Sequence, residues 1–401
     1  MNHPIYPVHP VNTIRVAMLT QAYLPHVGGA ERQLAALLPL LRAHGVQASI
    51  ITRRYPGMNP SETLDGTPVY RIPLLPTKPG AAVSFIAGAL WQISRSRPDV
   101  IHAFELLSPA SAALIAKRWW KIPVAAKVLR GGRLGDVDKL TRRAFGQRRL
   151  NNLREQIDAF ITISAEIEQE IAQMGVAPAK RFFIPNGVDT ARFAPLSDSR
   201  QSEMRRRLGL PATGALVIYS GRLVAEKRVN HLLTIWPAIR QQFPDAALLI
   251  LGDGPEKARL TADSLPGVTF LGLVEDVAPY LQAADIFVLP SATEGLSNAM
   301  LEALAAGLAV VATAVGGAPD VIAHGQNGLL IAPDDLPALQ NALEVALANS
   351  PLRQALGRAG RETIVARYSL YQTADQLAAL YQSLLTKSLN TKDAKYTKVD
   401  G

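Results

Sequence analysis

Short apolar runs alternate with stretches of helical period along most of the chain. Ile14 to Thr20, Val46 to Thr52, Asp99 to Phe104, Val124 to Leu129 and Ala159 to Ser164 have the length and composition of buried strands. Between them, Ala30 to Ala43, Pro79 to Ser94, Ala110 to Trp120 and the basic stretch Val137 to Arg154 read as helices. The alternation predicts a parallel sheet with right-handed crossovers, an α/β architecture. It closes near Ile184, where IPNGVD turns the chain out, and restarts at Leu216 to Ser220. The second series has strands at Leu248 to Leu251, Thr269 to Leu271, Asp285 to Leu289, Leu308 to Ala312 and Asn327 to Ile331. Its helices are Val229 to Gln242, Leu336 to Ala348, Pro351 to Ala366 and Leu370 to Ser388. The expected plan is a first domain over 1–186, a linker over 187–200, a second domain over 201–369, a final helix over 370–388 and a flexible polar tail over 389–401.

The second series is punctuated at its strand ends. Gly221 follows one strand, Gly252 another, Gly272 a third. Its richest phrase is FVLPSATEGLSNAMLEALAAGLAVVATAVGG, Phe287 to Gly317. It reads as a strand, a loop with Glu294 and Gly295, an N-cap at Ser297, a helix from Asn298 closed by Gly307, then another strand. Free N–H groups over Leu296, Ser297 and Asn298 make a phosphate cradle at a strand's C-terminal end, where open α/β sheets bind ligands. Glu294 and Glu302 are carboxylates that would accept hydrogen bonds from sugar hydroxyls; an acidic pair on a solvated helix end would look the same.

Arg222 and Lys227 flank a turn into the next helix and offer charge-assisted bonds across a phosphate-sized gap. A solvated basic turn is the plainer alternative. Near the start, QAYLPHVGGAER places Gly28 and Gly29 before a helix, where a backbone can approach a ligand closely. The dinucleotide fingerprint is missing there, and the second strand runs into Arg53 and Arg54 rather than an acid. His102 ends a strand at cleft height, although a structural role suits a lone histidine equally.

The phrase from Phe287 to Gly317, with Arg222 and Lys227 before it, resembles the retaining GT4-family glycosyltransferases of GT-B fold. The resemblance spans Gly28 to the last helix and is looser in the first half. It implies two Rossmann-like domains facing a central cleft, with the acceptor on the first domain, a nucleotide-sugar donor on the second, and the last helix returning to the first. By it, Glu294 holds the donor sugar, Glu302 the ribose, Arg222 and Lys227 the diphosphate, and Gly28 and Gly29 face the phosphates. It implies a UDP- or GDP-sugar co-substrate, no metal and no other cofactor, in the building of cell-surface polysaccharide or glycolipid. The chain departs from the pattern after Val124 to Leu129. Relatives place a histidine there, in a phrase like T-x-H-G, whereas this chain reads AKVLRGG. Lys127 and Arg130 thereby become phosphate candidates, and His102 a substitute histidine. Two other readings use the same fold: a sugar-nucleotide epimerase, for which Glu105 and Asp136 are the nearby acids, and a non-catalytic glycan-binding relative.

Charge adds a partner to this picture. Residues 1–190 hold 23 Lys and Arg against 13 acids, while 191–401 hold 19 against 20. Lys117 to Arg154 carries twelve cations and two acids, with Trp119 and Trp120 among them in KRWWK. Tryptophan favours the headgroup layer and cations favour anionic lipid, so the expected site is the inner face of the cytoplasmic membrane, beside a glycan or lipid-linked acceptor. The alternative is a solvated face with one tryptophan in the core. Nucleic acid is not an expected partner. The chain has no cysteine, hence no disulfide or thiolate site, in keeping with the cytoplasm. MNHPIYPVHPVN lacks the basic and apolar regions of a signal peptide.

Overall fold

A computed structural model describes residues 13–25, 28–143, 145–262 and 265–396, with side chains to 388. The opening residues and 397–401 lie outside it, and with them the leader reading and the end of the tail.

Two parallel sheets form, one per half of the chain. The first holds β1 (Ile14–Leu19), β2 (Val46–Arg53), β3 (Ser61–Leu64), β4 (Thr67–Ile72), β5 (Val100–Phe104), β6 (Val124–Lys127), β7 (Ala159–Thr162) and β8 (Arg181–Phe183). Their order is β3-β4-β2-β1-β5-β6-β7-β8, with β3 antiparallel to β4. The second holds β9 (Leu216–Ser220), β10 (Ala247–Leu251), β11 (Val268–Gly272), β12 (Ile286–Leu289), β13 (Ala309–Thr313) and β14 (Leu329–Ile331), in the order β11-β10-β9-β12-β13-β14. In the first sheet the chain winds outward in both directions from β1 and β5; in the second, from β9 and β12. Right-handed crossovers running opposite ways put their helices on opposite faces, which opens a crevice at the carboxyl ends of those two strand pairs.

The first sheet carries a different cover on each face. One face packs into a core shared with the helices Lys78–Ser96 and Ser108–Trp120 through Phe85, Ile93, Ala113 and Leu114. The other is covered by the helix Gly29–Ala43 and by Leu370–Tyr396, through Leu34, Leu37, Leu41, Leu377, Leu380 and Tyr381. The final helix therefore lies on the first domain. The chain passes between domains twice, side by side: Val188 bridges Ser369, and its N–H donates to the Tyr368 carbonyl at 2.9 Å. A side chain at Gly187 would meet the Ser369 carbonyl and Thr373 hydroxyl at 2.6 Å, so only glycine fits beside the second pass.

Several elements differ from the pattern's expectation. The basic stretch 137–154 is two helices, Asp136–Thr141 and Gly146–Gln156. Phe145 between them is left-handed, with φ 60°, and a side chain at Gly146 would strike the Leu140 carbonyl. The backbone folds onto itself there, which a continuous helix cannot do. Leu140 is buried while Phe145 is 83% exposed, so they share no apolar face; Ala144 lies outside the described residues. The final helix continues to Tyr396, past the expected end at 388. The helix Asp198–Arg207 starts inside the expected linker, and Ala165–Gln173 is a further helix. The hairpin β3–β4 turns on Asp65 and Gly66, both at positive φ, 46° and 74°. Asp-Gly suits such a turn well. Both tryptophans of KRWWK are on the surface, 61% and 38% exposed, their rings 5.7 Å apart edge to face. No helix among the described residues is long and apolar enough to cross a membrane.

Candidate active site

In the second domain the crevice lies between the ends of β9 and β12. The turn after β9 runs from Gly221 into the short turn Ala225–Lys227 and the helix Val229–Gln242. Arg228 takes a left-handed conformation, φ 52°, to start that helix. The loop after β12 is tied to this turn by the Ala292 N–H, which donates to the Glu226 carbonyl at 2.8 Å. Lys227 Nζ then reaches Glu294 Oε1 at 2.5 Å, and the Ser291 hydroxyl donates to the same oxygen at 2.7 Å. Glu294 is buried, so the lysine and serine replace the water its charge would otherwise need. Arg222 is exposed and its guanidinium has no partner among the described residues. At Gly316, φ 56°, a side chain would meet the Glu294 and Gly295 carbonyls at 2.5 and 2.6 Å. The paired glycines at 316 and 317 thus let the next loop seat directly beneath the Glu-Gly turn; Gly317 N–H donates to the Gly295 carbonyl at 2.6 Å.

The helix Asn298–Ala305 starts at this loop. Ser297 caps it, its hydroxyl accepting from the Met300 N–H at 3.3 Å. Glu302 lies on the same helix and is half-buried. Burial pushes its carboxyl up to about 7, against the pull of Arg32 and Arg192 and with a small push from Asp276.

The first domain meets this helix end. Gly28, in extended conformation, stands before the helix Gly29–Ala43, and the Gly29 carbonyl accepts from Asn298 Nδ2 at 2.6 Å. Two helix N-termini from different domains therefore converge on one point. Each carries the partial positive charge of a helix start, which suits a diphosphate, although at the first the Glu31 carboxylate stands against Gly28. A second contact crosses nearby: a side chain at Gly295 would strike the Leu129 carbonyl just beyond β6. Arg130 reaches across to Glu226, 3.6 Å away.

Two of the expected first-domain groups are used otherwise. His102 is fully buried and does not face the cleft. Its Nδ1 lies 2.7 Å from the Tyr381 hydroxyl of the final helix, and its ring stacks on Phe104. Burial, then the nearby Lys127 charge, pulls it down to about 3, so it stays neutral. Its Nε2 is buried without a partner, as befits a core residue rather than a proton carrier facing solvent. Lys127 is buried as well, and burial lowers its amine to about 8. Its Nζ donates to Asn186 Oδ1 at 2.9 Å. Asn186 passes the link on: its Nδ2 donates to the Leu296 carbonyl at 3.2 Å and Asn298 Oδ1 at 2.9 Å. Lys127 thus supports the phosphate cradle through Asn186 and does not open onto it. Asn186 was invisible in the sequence, where Asn-Gly within IPNGVD reads only as a turn. Asp136 is committed to the Leu106 N–H at 2.7 Å, which removes one of the two acids an epimerase would use.

Comparison with known proteins identifies the family and the fold. A family model described as glycosyl transferases group 1 matches residues 214–349, and one described as a glycosyl transferase 4-like domain matches 28–187. A GDP-mannose-dependent alpha-(1-6)-phosphatidylinositol monomannoside mannosyltransferase of Mycobacterium tuberculosis is 28% identical over 91% of this chain and 97% of its own. The glycogen synthase of the same organism is 30% identical over 71% of this chain and 69% of its own. Among solved structures, sucrose-phosphate synthase of Thermosynechococcus elongatus superposes with a TM-score of 0.80 at 24% identity, over 93% of this chain and 100% of that one, a likeness of fold.

Proposed function

Because the chain belongs to the group 1 glycosyltransferases, we propose that it moves a sugar, with retention, from a UDP- or GDP-sugar to a hydroxyl of a glycan or lipid-linked acceptor. The observation that carries this reading is the meeting of two helix N-termini at Gly29 and Asn298, next to the loop whose Glu294 holds Lys227. As the glycosidic bond breaks, negative charge grows on the departing diphosphate. Groups fixed in advance around that charge stabilise it without reorganising. Arg222, with no partner among the described residues, Lys227, and the N–H groups over 296–298 and at Gly28 and Gly29 are the groups we assign to this task. They supply positive charge where other transferases use a metal ion.

In this reading the second domain holds the donor and the first the acceptor. Glu294 takes the sugar hydroxyls, exchanging part of its bond to Lys227 for them, so that the lysine turns to the phosphate. Glu302 takes the ribose. Gly295 lets the Leu129 carbonyl approach the donor loop, and Gly221 leaves room for the Tyr219 hydroxyl beside it. The mycobacterial relative's name includes GDP-mannose and a phosphatidylinositol acceptor, which fits this donor class and a membrane-bound acceptor. The exposed Trp119 and Trp120, amid the basic stretch, favour a first domain resting on an anionic membrane surface.

A melting-temperature screen over UDP-, GDP- and ADP-sugars tests the donor. The expected result is a rise with UDP- or GDP-sugars that Arg222→Ala reduces, since a ligand of the folded state stabilises it. No rise with any nucleotide sugar would overturn the reading. Cosedimentation with anionic liposomes should fall with salt and in Trp119→Ala; equal binding to neutral liposomes would remove the membrane from it.

A further inference from the structure

The first domain's crevice, between the ends of β1 and β5, holds a feature that the donor chemistry leaves unexplained. The residue that follows β5 is Glu105. Its φ is 87°, a left-handed conformation that costs a residue with a side chain and persists where the surroundings impose it. Its N–H donates to the Lys127 carbonyl at 3.0 Å, which fixes it one strand away from the segment carrying Leu129. Leu129 in turn touches Gly295, the neighbour of Glu294. Glu105 therefore stands on the first domain's side of the reacting centre.

Its carboxylate is half-buried and has no hydrogen-bond or ion-pair partner among the described residues. The charged groups close to it are Asp136 and Lys139 after β6, Arg53 at the end of β2, and Glu31 in the first turn of the helix Gly29–Ala43. Asp136 is occupied by the Leu106 N–H. Arg53 gives one nitrogen to Gln21 at 2.5 Å, but its Nε is buried without a partner. The crevice thus holds an unmet acceptor and an unmet donor at strand ends either side of β1. A hydroxyl group both donates and accepts, so a compound with neighbouring hydroxyls meets both needs at once.

The geometry points to Glu105, with Arg53, as the residue pair that binds the hydroxyls of a sugar or polyol acceptor and sets the attacking oxygen toward the donor. This rests on the glycosyltransferase reading and deepens it. The left-handed backbone holds a carboxylate among Arg53, Lys139, Asp136 and Glu31 at a position where glycine would be easier to fold. Burial, then the Asp136 charge, pushes the Glu105 carboxyl up to about 7 against the pull of Lys139 and Arg53, so its accepting form fills in around neutral pH.

The test separates transfer from donor breakdown. UDP-glucose or GDP-mannose is incubated with the full chain, alone and with glucose, mannose, myo-inositol or glycerol as surrogate acceptors. Release of nucleotide without acceptor reads the donor site by itself, so a wrong donor assignment shows in the wild type before any variant is made. Glu105→Gln is expected to lower transfer at least tenfold while changing donor hydrolysis less than twofold. At saturating donor, where the pH response of donor binding drops out, wild-type transfer should fall as pH drops below about 7, and the variant should lose that limb. Glu105→Gly, free of the backbone strain, should melt no lower than the wild type while transferring as poorly as Glu105→Gln. Equal loss of hydrolysis and transfer, unchanged transfer, or a lower melting temperature for the glycine variant would each overturn the assignment.

Discussion

The two domains build their halves of the cleft in opposite ways. In the second, the chemistry is local: Arg222 and Lys227 share one turn, Glu294 and Glu302 one loop and helix. Its buried acid is paired with a lysine of the adjacent loop at 2.5 Å. In the first, the polar groups come from the ends of separate strands: Arg53 from β2, Glu105 after β5, Lys127 from β6. The Arg53 Nε is buried without a partner, the Glu105 carboxylate is half-buried, and the buried Lys127 amine reaches Asn186. Lysine shows the contrast best. Lys227 neutralises a site carboxylate, while Lys127 is sealed under the sheet and holds Asn186. A domain that binds a recurrent ligand, a nucleoside diphosphate, can use one compact motif. A domain that binds its own particular acceptor assembles a site from whatever its strand ends supply.

The largest expected effect breaks the contact through which the halves meet. Gly295→Ala places a methyl group against the Leu129 carbonyl, so the domains cannot seat. Transfer should fall by about 100-fold, as small misplacements of reacting groups do, while UDP or GDP still raises the melting temperature. Transfer within threefold of wild type would show that this approach is not needed. The next prediction sets the two lysines against each other. Lys227→Ala should weaken nucleotide affinity by roughly 1.5–3 kcal/mol, the range for a bond to a charged group. Lys127→Met should weaken nucleotide affinity less than Lys227→Ala does, since it reaches the cradle only through Asn186, and should lower the melting temperature more. Titration calorimetry with UDP or GDP on both variants decides it; the reverse pattern would dissolve the contrast. The smallest effect concerns Glu302. With its carboxyl near 7, the accepting carboxylate gains population as pH rises. Nucleotide affinity should therefore climb by up to about tenfold between pH 6 and 8, following the ionised fraction, and Glu302→Gln should flatten that climb. An identical slope in the variant would assign the pH dependence to the nucleotide itself.

The same contrast governs what the sequence could disclose. The second sheet, its glycine-ended strands and the cap at Ser297 are short-range features, and periodicity and capping rules find them. The first domain's failures are mostly contacts that the local pattern does not carry. His102 looks cleft-facing until the final helix brings Tyr381 over it from 279 residues away. Asn186 gains meaning only when Asn298 arrives from the other domain. The stretch 137–154 keeps a helical composition throughout, and its break depends on a backbone contact between Leu140 and Gly146 that no propensity records. The hairpin at Asp65-Gly66 is the exception, since its turn signal was present locally. It was hidden by a β3 of four residues whose alternation is exposed and weak.

The final helix also sets a timetable. It supplies Leu377, Leu380, Tyr381 and Leu384 to the outer face of the first sheet, whose last strand ends at Phe183. At roughly 5–20 residues per second, a ribosome adds the intervening stretch in about 10 to 40 s. For that interval a nascent first domain shows the Leu34, Leu37 and Leu41 face to its surroundings, with His102 wet and free to take a proton. Maturation of the first half therefore waits on synthesis of the second, and a chain stalled anywhere before Leu370 is a ready client for holding chaperones.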